Sequence, residues 1–409
     1  MKRSRRIPIR WLILGLVVLA DHAVFALWEF TAPGDPNRNW GVSVTTSAQY
    51  DDNFNLAQHN PQSGARLYED IRFRASVPLE RLFVGVLYDY TLNYPNDLAQ
   101  KAINQTHNLN LSANFAVNRR LALSLTEVYI SAFEPGIVLG PNGAPVSLAS
   151  AGNYSYDAVG GGAVYSVTPR WTASVNGSWD IWKYQQASVS SINDREDYST
   201  TLSAIYAVDT RTTVGVNYQY SQTVYVNPGL DNGLNGYGNT GFLSFTHRFN
   251  PRLSLSVNGG YTIRDSGNGT ESTSPSGSGT IYYNYGPVSW ISLTVAHALS
   301  QTAVQNSPNF SAQESTSVAL QLNHRFTSKL HGMASMTYNY STFTAPVSPA
   351  LTVSPNVQEI TTHLSLGYDF REWVSAVMDY YHTDVTSSDQ GLISPYSHNQ
   401  VSLGMTLTY

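Results

Sequence analysis

The chain has no cysteine among its 409 residues. That excludes a disulfide framework, thiolate chemistry and a lipid-anchored N-terminal cysteine. It is short of charge as well: Lys, Arg, Asp and Glu together make up 12%, about half the usual globular share. The formal charge of −5, with no basic cluster beyond the first ten residues, offers nothing to nucleic acid. After residue 20 no apolar run approaches the roughly 20 residues that a membrane-spanning helix needs. Apolar residues nevertheless stay at 42%, and Ser, Thr, Asn and Gly fill the positions that charges have vacated. With spanning helices excluded, a closed β-barrel is the remaining structure that satisfies every backbone group in lipid. A soluble secreted β-sandwich has a similar composition and is the competing reading.

The N-terminus reads as an export signal. Lys2, Arg3, Arg5, Arg6 and Arg10 form a basic segment, and Trp11–Ala20 is a ten-residue apolar core. Val24-Phe25-Ala26 then places small residues at −3 and −1, so cleavage is expected after Ala26. A retained transmembrane anchor would need a longer apolar run. Residues 27–39 are expected as a short periplasmic segment, and 40–409 as a single barrel domain.

The mature chain alternates with period two. In Leu253–Arg264, Leu253, Leu255, Val257, Tyr261 and Ile263 share one face, against Ser254, Ser256, Asn258, Thr262 and Arg264. Successive strand side chains point to opposite sides, so such a segment presents one apolar and one polar wall. Val214–Gln222 and Leu82–Tyr94 read the same way. The alternation persists for 9 to 13 residues, beyond the usual strand of about 5–6 and close to the 9–11 that a tilted strand needs to cross a bilayer.

Short turns punctuate these strands. Asn118-Arg119-Arg120, Thr168-Pro169-Arg170, Asp209-Thr210-Arg211, Asn250-Pro251-Arg252 and Thr327-Ser328-Lys329 each precede a new strand, and Pro78–Arg81, Gly286-Pro287 and Phe370–Glu372 occupy equivalent places. Their residue types favour tight turns through fixed φ or local hydrogen bonding. Arg170, Arg211 and Arg252 are 41 residues apart. A period near 40 also suits propeller blades, but a blade needs four short strands where each period here holds two long ones. Long polar loops lie between the turns, at 51–65, 95–105, 133–152, 185–197, 225–237, 265–277, 300–312, 343–357 and 384–397. Nine long loops and eight tight turns predict a transmembrane antiparallel up-and-down barrel of about 18 strands, with both termini and the tight turns on the periplasmic side. The outward face is least regular around Ile281–Leu299, and without that pair the count is 16.

Aromatics mark the expected strand ends: Phe83, Trp171 and Trp290 after tight turns, and Tyr94, Tyr184, Tyr225, Tyr340 and Tyr381 beside long loops. Girdles at the two lipid interfaces would have this layout, as would ordinary strand propensity. The last strand sets Val401, Leu403, Met405, Leu407 and Tyr409 on one face. This resembles the C-terminal signal read by the outer-membrane assembly machinery, with Tyr where Phe is usual. Lipid and that machinery, through the strand ending at Tyr409, are therefore the expected partners.

The first strand, Trp40-Gly41-Val42-Ser43-Val44, runs into Tyr50-Asp51-Asp52-Asn53. A leading strand with this ending, followed by Arg-bearing hairpin repeats, resembles the β-barrel porin 2 family. The resemblance implies an outer-membrane barrel, and for some members an association with exopolysaccharide export.

Opposite the apolar face Leu67, Ile71, Phe73, Ala75 and Val77, the side chains of Arg66, Asp70, Arg72 and Arg74 should line the lumen. Asp89, Arg264, Arg325, His331, His363 and Asp369 should join them. Lumenal charges tune ion selectivity in such barrels, or they form a self-satisfied ladder bridging the strands. Asp51, Asp52 and Asn53 are hard-cation ligand types, but without the distributed spacing of a calcium loop they read as an Asx turn. His247 and His324 fall on the lipid face near tight turns, and Asp379, His382 and Asp384 are close in sequence. None of these fixes a nucleophile, so no enzyme and no cofactor is expected. An 18-stranded interior is too wide for side chains to fill. The expectation is a porin-like channel in the bacterial outer membrane for small polar solutes, with loop 133–152 narrowing the pore. The alternatives are an accessory barrel of exopolysaccharide export and a structural or adhesive surface barrel.

Overall fold

The computed structural model describes residues 39–54, 56, 58–95, 104–132, 137–139, 145–147, 153–187, 190–191, 194–226, 235–267, 269–301, 310–346, 354–388 and 395–409. The expected export signal and periplasmic segment therefore lie outside the described residues. The strands are β1 (Trp40–Asp51), β2 (Gly64–Pro78), β3 (Leu82–Pro95), β4 (Asn104–Ala116), β5 (Leu121–Ala132), β6 (Ile137–Leu139), β7 (Pro145–Ser147), β8 (Tyr154–Ser166), β9 (Trp171–Tyr184) and β10 (Arg195–Ala207). They continue with β11 (Thr212–Tyr225), β12 (Gly236–Asn250), β13 (Leu253–Ser266), β14 (Glu271–Asn284), β15 (Trp290–Gln301), β16 (Phe310–Arg325), β17 (Leu330–Pro346), β18 (Asn356–Arg371), β19 (Val374–Ser387) and β20 (Tyr396–Thr408).

Eighteen of these form one antiparallel meander, and β1 pairs with β20 to close it. The expected count of 18 holds, and the Ile281–Leu299 region supplies two wall strands. β6 and β7 form a separate small hairpin inside loop 133–152. Followed from partner to partner around the wall, the register returns to β1 displaced by about 22 residues. With strands about 4.8 Å apart and rising about 3.3 Å per residue, that stagger corresponds to a tilt of about 40° and a backbone radius of about 18 Å.

Residues directly opposite on neighbouring strands share a face, so the alternation propagates around the wall. Val44, Ile71 and Tyr90 are in one row, and Leu202, Val175 and Tyr218 in another. This face keeps its large apolar side chains exposed, among them Leu125, Val216, Leu243, Leu366 and Leu403. It is the outer surface. The other face carries most of the Ser, Thr, Asn and charged side chains, and it is the inner wall.

Five of the tight turns share one device. The side-chain oxygens of Asn118, Thr168, Asp209, Asn250 and Thr327 each accept the backbone N–H groups two and three residues on, at 2.6–3.2 Å. An acceptor at the first turn position is thus what precedes Arg or Lys each time. These bonds, first the one from the Arg211 N–H, hold the Asp209 carboxyl below its usual range.

The aromatic pattern is only half a girdle. Trp171, Tyr94 and Tyr340 are on the outer register, but Phe83, Trp290, Tyr184, Tyr225 and Tyr381 are on the inner one. Tyr184 and Tyr225 are buried. Position near a strand end does not select a face; parity does.

The wall turns a sharp corner at β12–β14. A Cβ on Gly260 would stand 2.0 Å from the Gly241 carbonyl oxygen, and one on Gly277 2.7 Å from that of Asn258. Only glycine permits so close a backbone approach. Beyond this corner β14 and β15 pair only from Asn284–Trp290 up to Gly277–His297, although β14 stays paired with β13 as far as Glu271. The expected loop 265–277 is therefore largely strand. Its Gly and Ser content reflects the corner and the polar inner face.

Candidate functional site: the lumenal wall

All ten charged residues singled out from the sequence are on the inner register. Arg72 makes a two-pronged pair with Asp89, Nε–Oδ1 at 2.5 Å and Nη2–Oδ2 at 3.3 Å. Thr91 donates to Asp70 at 2.5 Å, and the Arg66 guanidinium lies 5.2 Å from the centre of the Phe54 ring. Arg74 lies beside Gly41. On β18 and β19, separated from β2 in the wall only by β20 and β1, His363 meets Asp379 at 3.0 Å and stacks on Tyr381 with centroids 3.9 Å apart. His331 faces Asp369 at 3.7 Å. Arg325 is at the periplasmic rim, where it donates to the Ser328 carbonyl at 3.1 Å. Arg264 is 4% exposed and lies over Gly236 and Gly238.

The densest charged group was not apparent in the sequence. Arg195 donates to Asp197 at 3.1 Å, Thr223 donates to the same carboxylate at 2.6 Å, and the Arg195 guanidinium is 5.1 Å from the Trp182 ring centre. Asp180 is paired directly opposite Asp197, and Asp197 acts on both Arg195 and Arg264. Arg195 and Asp197 fell within the expected loop 185–197, whereas β10 begins at Arg195. Continuing the alternation of Leu202 and Ala204 back toward residue 195 would have put Arg195 and Asp197 on the opposite, inner face. Two apolar clusters stand at the long-loop mouth: Tyr154, Trp182 and Tyr184 beside this group, and Phe343, Val357, Val385 and Tyr396, with Leu56 packed against them, across the barrel.

Asp51, Asp52 and Asn53 act on the barrel's closure. Asp51 Oδ1 accepts the Asn53 N–H at 2.9 Å, which is the expected Asx turn. The Asp51 carboxylate also meets His398 at 2.8 Å and Gln400 at 3.0 Å. Asp52 takes the backbone N–H and side-chain amide of Asn399 at 2.7 and 2.6 Å. Every carboxylate oxygen thus ties β1 to β20. Tyr409 adds two backbone bonds to Val42 and sets its ring 5.9 Å from that of Trp40.

The arrangements that could mimic a hydrolytic site fail on geometry. Asp379 is inside the barrel while His382 and Asp384 are outside, so they do not converge. His247 and His324 are on the outer register near the periplasmic turns, bonded to Thr212 and Tyr285 at 2.9 and 2.8 Å. The structure also brings Ser274, His297 and Glu314 together. His297 Nε2 is 3.2 Å from the Ser274 hydroxyl and 3.0 Å from Glu314, and its Nδ1 is 2.8 Å from Thr316. A nucleophilic serine needs its carboxylate on the far nitrogen of the histidine. Here serine and carboxylate share the same nitrogen, and Ser274 donates to Glu314, so the hydroxyl is held and not activated.

No family model matches the chain, and no curated protein does; the resemblance to the β-barrel porin 2 family is thus not matched by a family model. Among solved structures the chain is similar to the OccK1 (OpdK) protein of Pseudomonas aeruginosa. Identity is 12%, coverage 91% of this chain and 99% of that one, and the TM-score 0.48. It is also similar to OpdL of the same organism, with 11% identity, 91% and 98% coverage and a TM-score of 0.46. The siderophore receptor PirA, again of Pseudomonas aeruginosa, gives 12%, 92% and 81% coverage and 0.44. The chain spans about three fifths of the copper transporter OprC and of the ferric citrate transporter FecA, 62% and 64% of their lengths.

Proposed function

We propose that the chain is a bacterial outer-membrane channel through which small polar solutes diffuse. The observation that carries this is the wall itself: eighteen strands closed on one another, apolar outside and polar inside. Closure leaves no edge to the lipid, and only about eight strands can be filled by side chains alone. The paired charges of the inner wall, Arg72–Asp89 and Arg195–Asp197 first among them, would set which ions and solutes enter. Loop 133–152, with the β6–β7 hairpin inside it, is the segment proposed to narrow the passage. Export through a signal removed after Ala26 and assembly through the strand ending at Tyr409 complete this reading, which needs no cofactor and no catalysis. Swelling of liposomes that carry the refolded chain tests it. Neutral sugars and amino acids should enter at rates that fall with size, and deletion of residues 136–148 should admit larger ones. Rates no higher than in protein-free liposomes would refute the channel.

A further inference from the structure

Among the described residues the wall is continuous except at one place. Above the Gly277–His297 pair β14 and β15 no longer share a ladder, and in the continued register Pro275 would face Leu299 without an N–H to donate. The two edges overlap instead. Ser274, on the inner register of β14, bonds His297 and Glu314, on the outer register of β15 and β16. An inner side chain of β14 can meet outer side chains of β15 and β16 only if β15 passes on the lumenal side of β14. Burial agrees: Leu299 and Ala312 belong to the outer register yet pack together out of solvent, while Thr262, Arg264 and Ser266 on the inner face of β13 are covered.

We propose that this overlap is a lateral port, latched by Ser274, His297 and Glu314, through which a single-chain amphiphile passes between the lumen and the surrounding lipid. The proposal rests on the membrane-barrel reading and goes beyond it. A permanent seal would place an apolar contact where Ser274, His297 and Glu314 meet through hydrogen bonds. The two sides of the seam have the two characters of an amphiphile. Within the barrel stand Arg264 and its hydroxyl neighbours. Outside, an apolar groove of about 530 Å³ runs along the lipid face past Trp171, Tyr206, Leu243 and Phe245 to Gly259. Gly259 is the cross-strand partner of Gly277, at the foot of the seam. The groove would receive the chain as the head clears the latch.

The absence of native cysteine makes the test direct. Ser274→Cys and His297→Cys are introduced together in the full chain and joined by a short bis-methanethiosulfonate linker, which reduction removes. Two readouts are taken: single-channel conductance of the refolded barrel, and entry of pyrene-labelled decanoate, below its micelle concentration, into the envelope of cells that express it. The linked barrel should keep its conductance and slow decanoate entry at least tenfold, and reduction of the same sample should restore entry. Decanoate entry unchanged by the linker overturns the port. So does loss of current and decanoate entry together, which would make the seam part of the main lumen. A barrel without current but with linker-sensitive decanoate entry would refute the polar channel and leave the port standing.

Discussion

Removing Arg72 while leaving Asp89 should turn the lumen toward cations by an amount that the geometry sets. The pair is bidentate and its side chains are 42% and 19% exposed, so with both present a passing ion meets little net charge. Arg72→Ser leaves one full negative charge on the wall. For an ion about 10 Å away in water, that charge is worth roughly 0.4 kcal/mol, favourable for a cation and unfavourable for an anion. The difference of about 0.8 kcal/mol is nearly fourfold in the permeability ratio. Screening trims this to about threefold at 0.01 M salt, and to below twofold at 0.1 M where the Debye length is about 10 Å. Asp89→Asn should shift the ratio by the same factor in the opposite direction, and the double variant should lie near the parent. Reversal potentials across planar bilayers under a KCl gradient measure all three. An exposed pair contributes only about 0.2–1 kcal/mol to stability, so unfolding cannot imitate the effect. If neither single variant moves the reversal potential at 0.01 M, the charges form a ladder that permeating ions do not sense.

Gly260→Ala places a Cβ 2.0 Å from a carbonyl oxygen, whereas Gly241→Ala meets nothing within 4 Å. The first should cost about 1–3 kcal/mol and lower the folded band on unheated gels, and the second should not; equal yields would remove the corner from the account. Leu403→Arg, on the outer face, should destabilise by about 2–4 kcal/mol if it sits near the bilayer midplane. Ser402→Arg, facing the lumen, should cost far less in the same urea titration, and the reverse order would invert the assignment of faces. Asp51→Ala removes the acceptor of bonds from His398, Gln400 and Asn53. It should cost about 1.5–3 kcal/mol, read as a lower urea midpoint, and an unmoved midpoint would deny the closure clamp. The lowered carboxyl of Asp209 supports its turn above the ordinary carboxylate range and loses that support as pH falls through its own lower pKa. Asp209→Asn should therefore flatten the acid limb of the unfolding curve below about pH 4.

The strand count and the facing of the charged residues were legible because both rest on parity, which a closed sheet cannot violate locally without losing its apolar outside. Arg66, Arg72 and Arg74 inherit their direction from Leu67, Ile71 and Phe73. The turns were legible because an Asn, Asp or Thr acceptor recurs in five of the eight. Strand ends were not. Arg195 and Glu271 begin strands in polar, glycine- or serine-rich stretches whose composition reads as loop, yet strand residues facing a wet lumen, such as Arg195, and those near a strand's rim, such as Glu271, are polar too. The aromatics misled for a related reason: a Tyr near a strand end is equally at home in a lipid girdle and in an internal cluster such as Tyr154–Trp182–Tyr184. The seam left only a trace, the irregular outward face of Ile281–Leu299. The cause lies in pairing between strands, where Pro275 and the close backbone approaches at Gly260 and Gly277 decide the outcome, and no single strand's pattern records it.

The central claim is an open lumen through an eighteen-stranded wall, and single-channel recording of the refolded chain tests it most directly. The account expects discrete, long-lived conductance steps whose size scales with bulk salt conductivity, as befits a water-filled passage. A correctly folded barrel that inserts and yields no steps would contradict it.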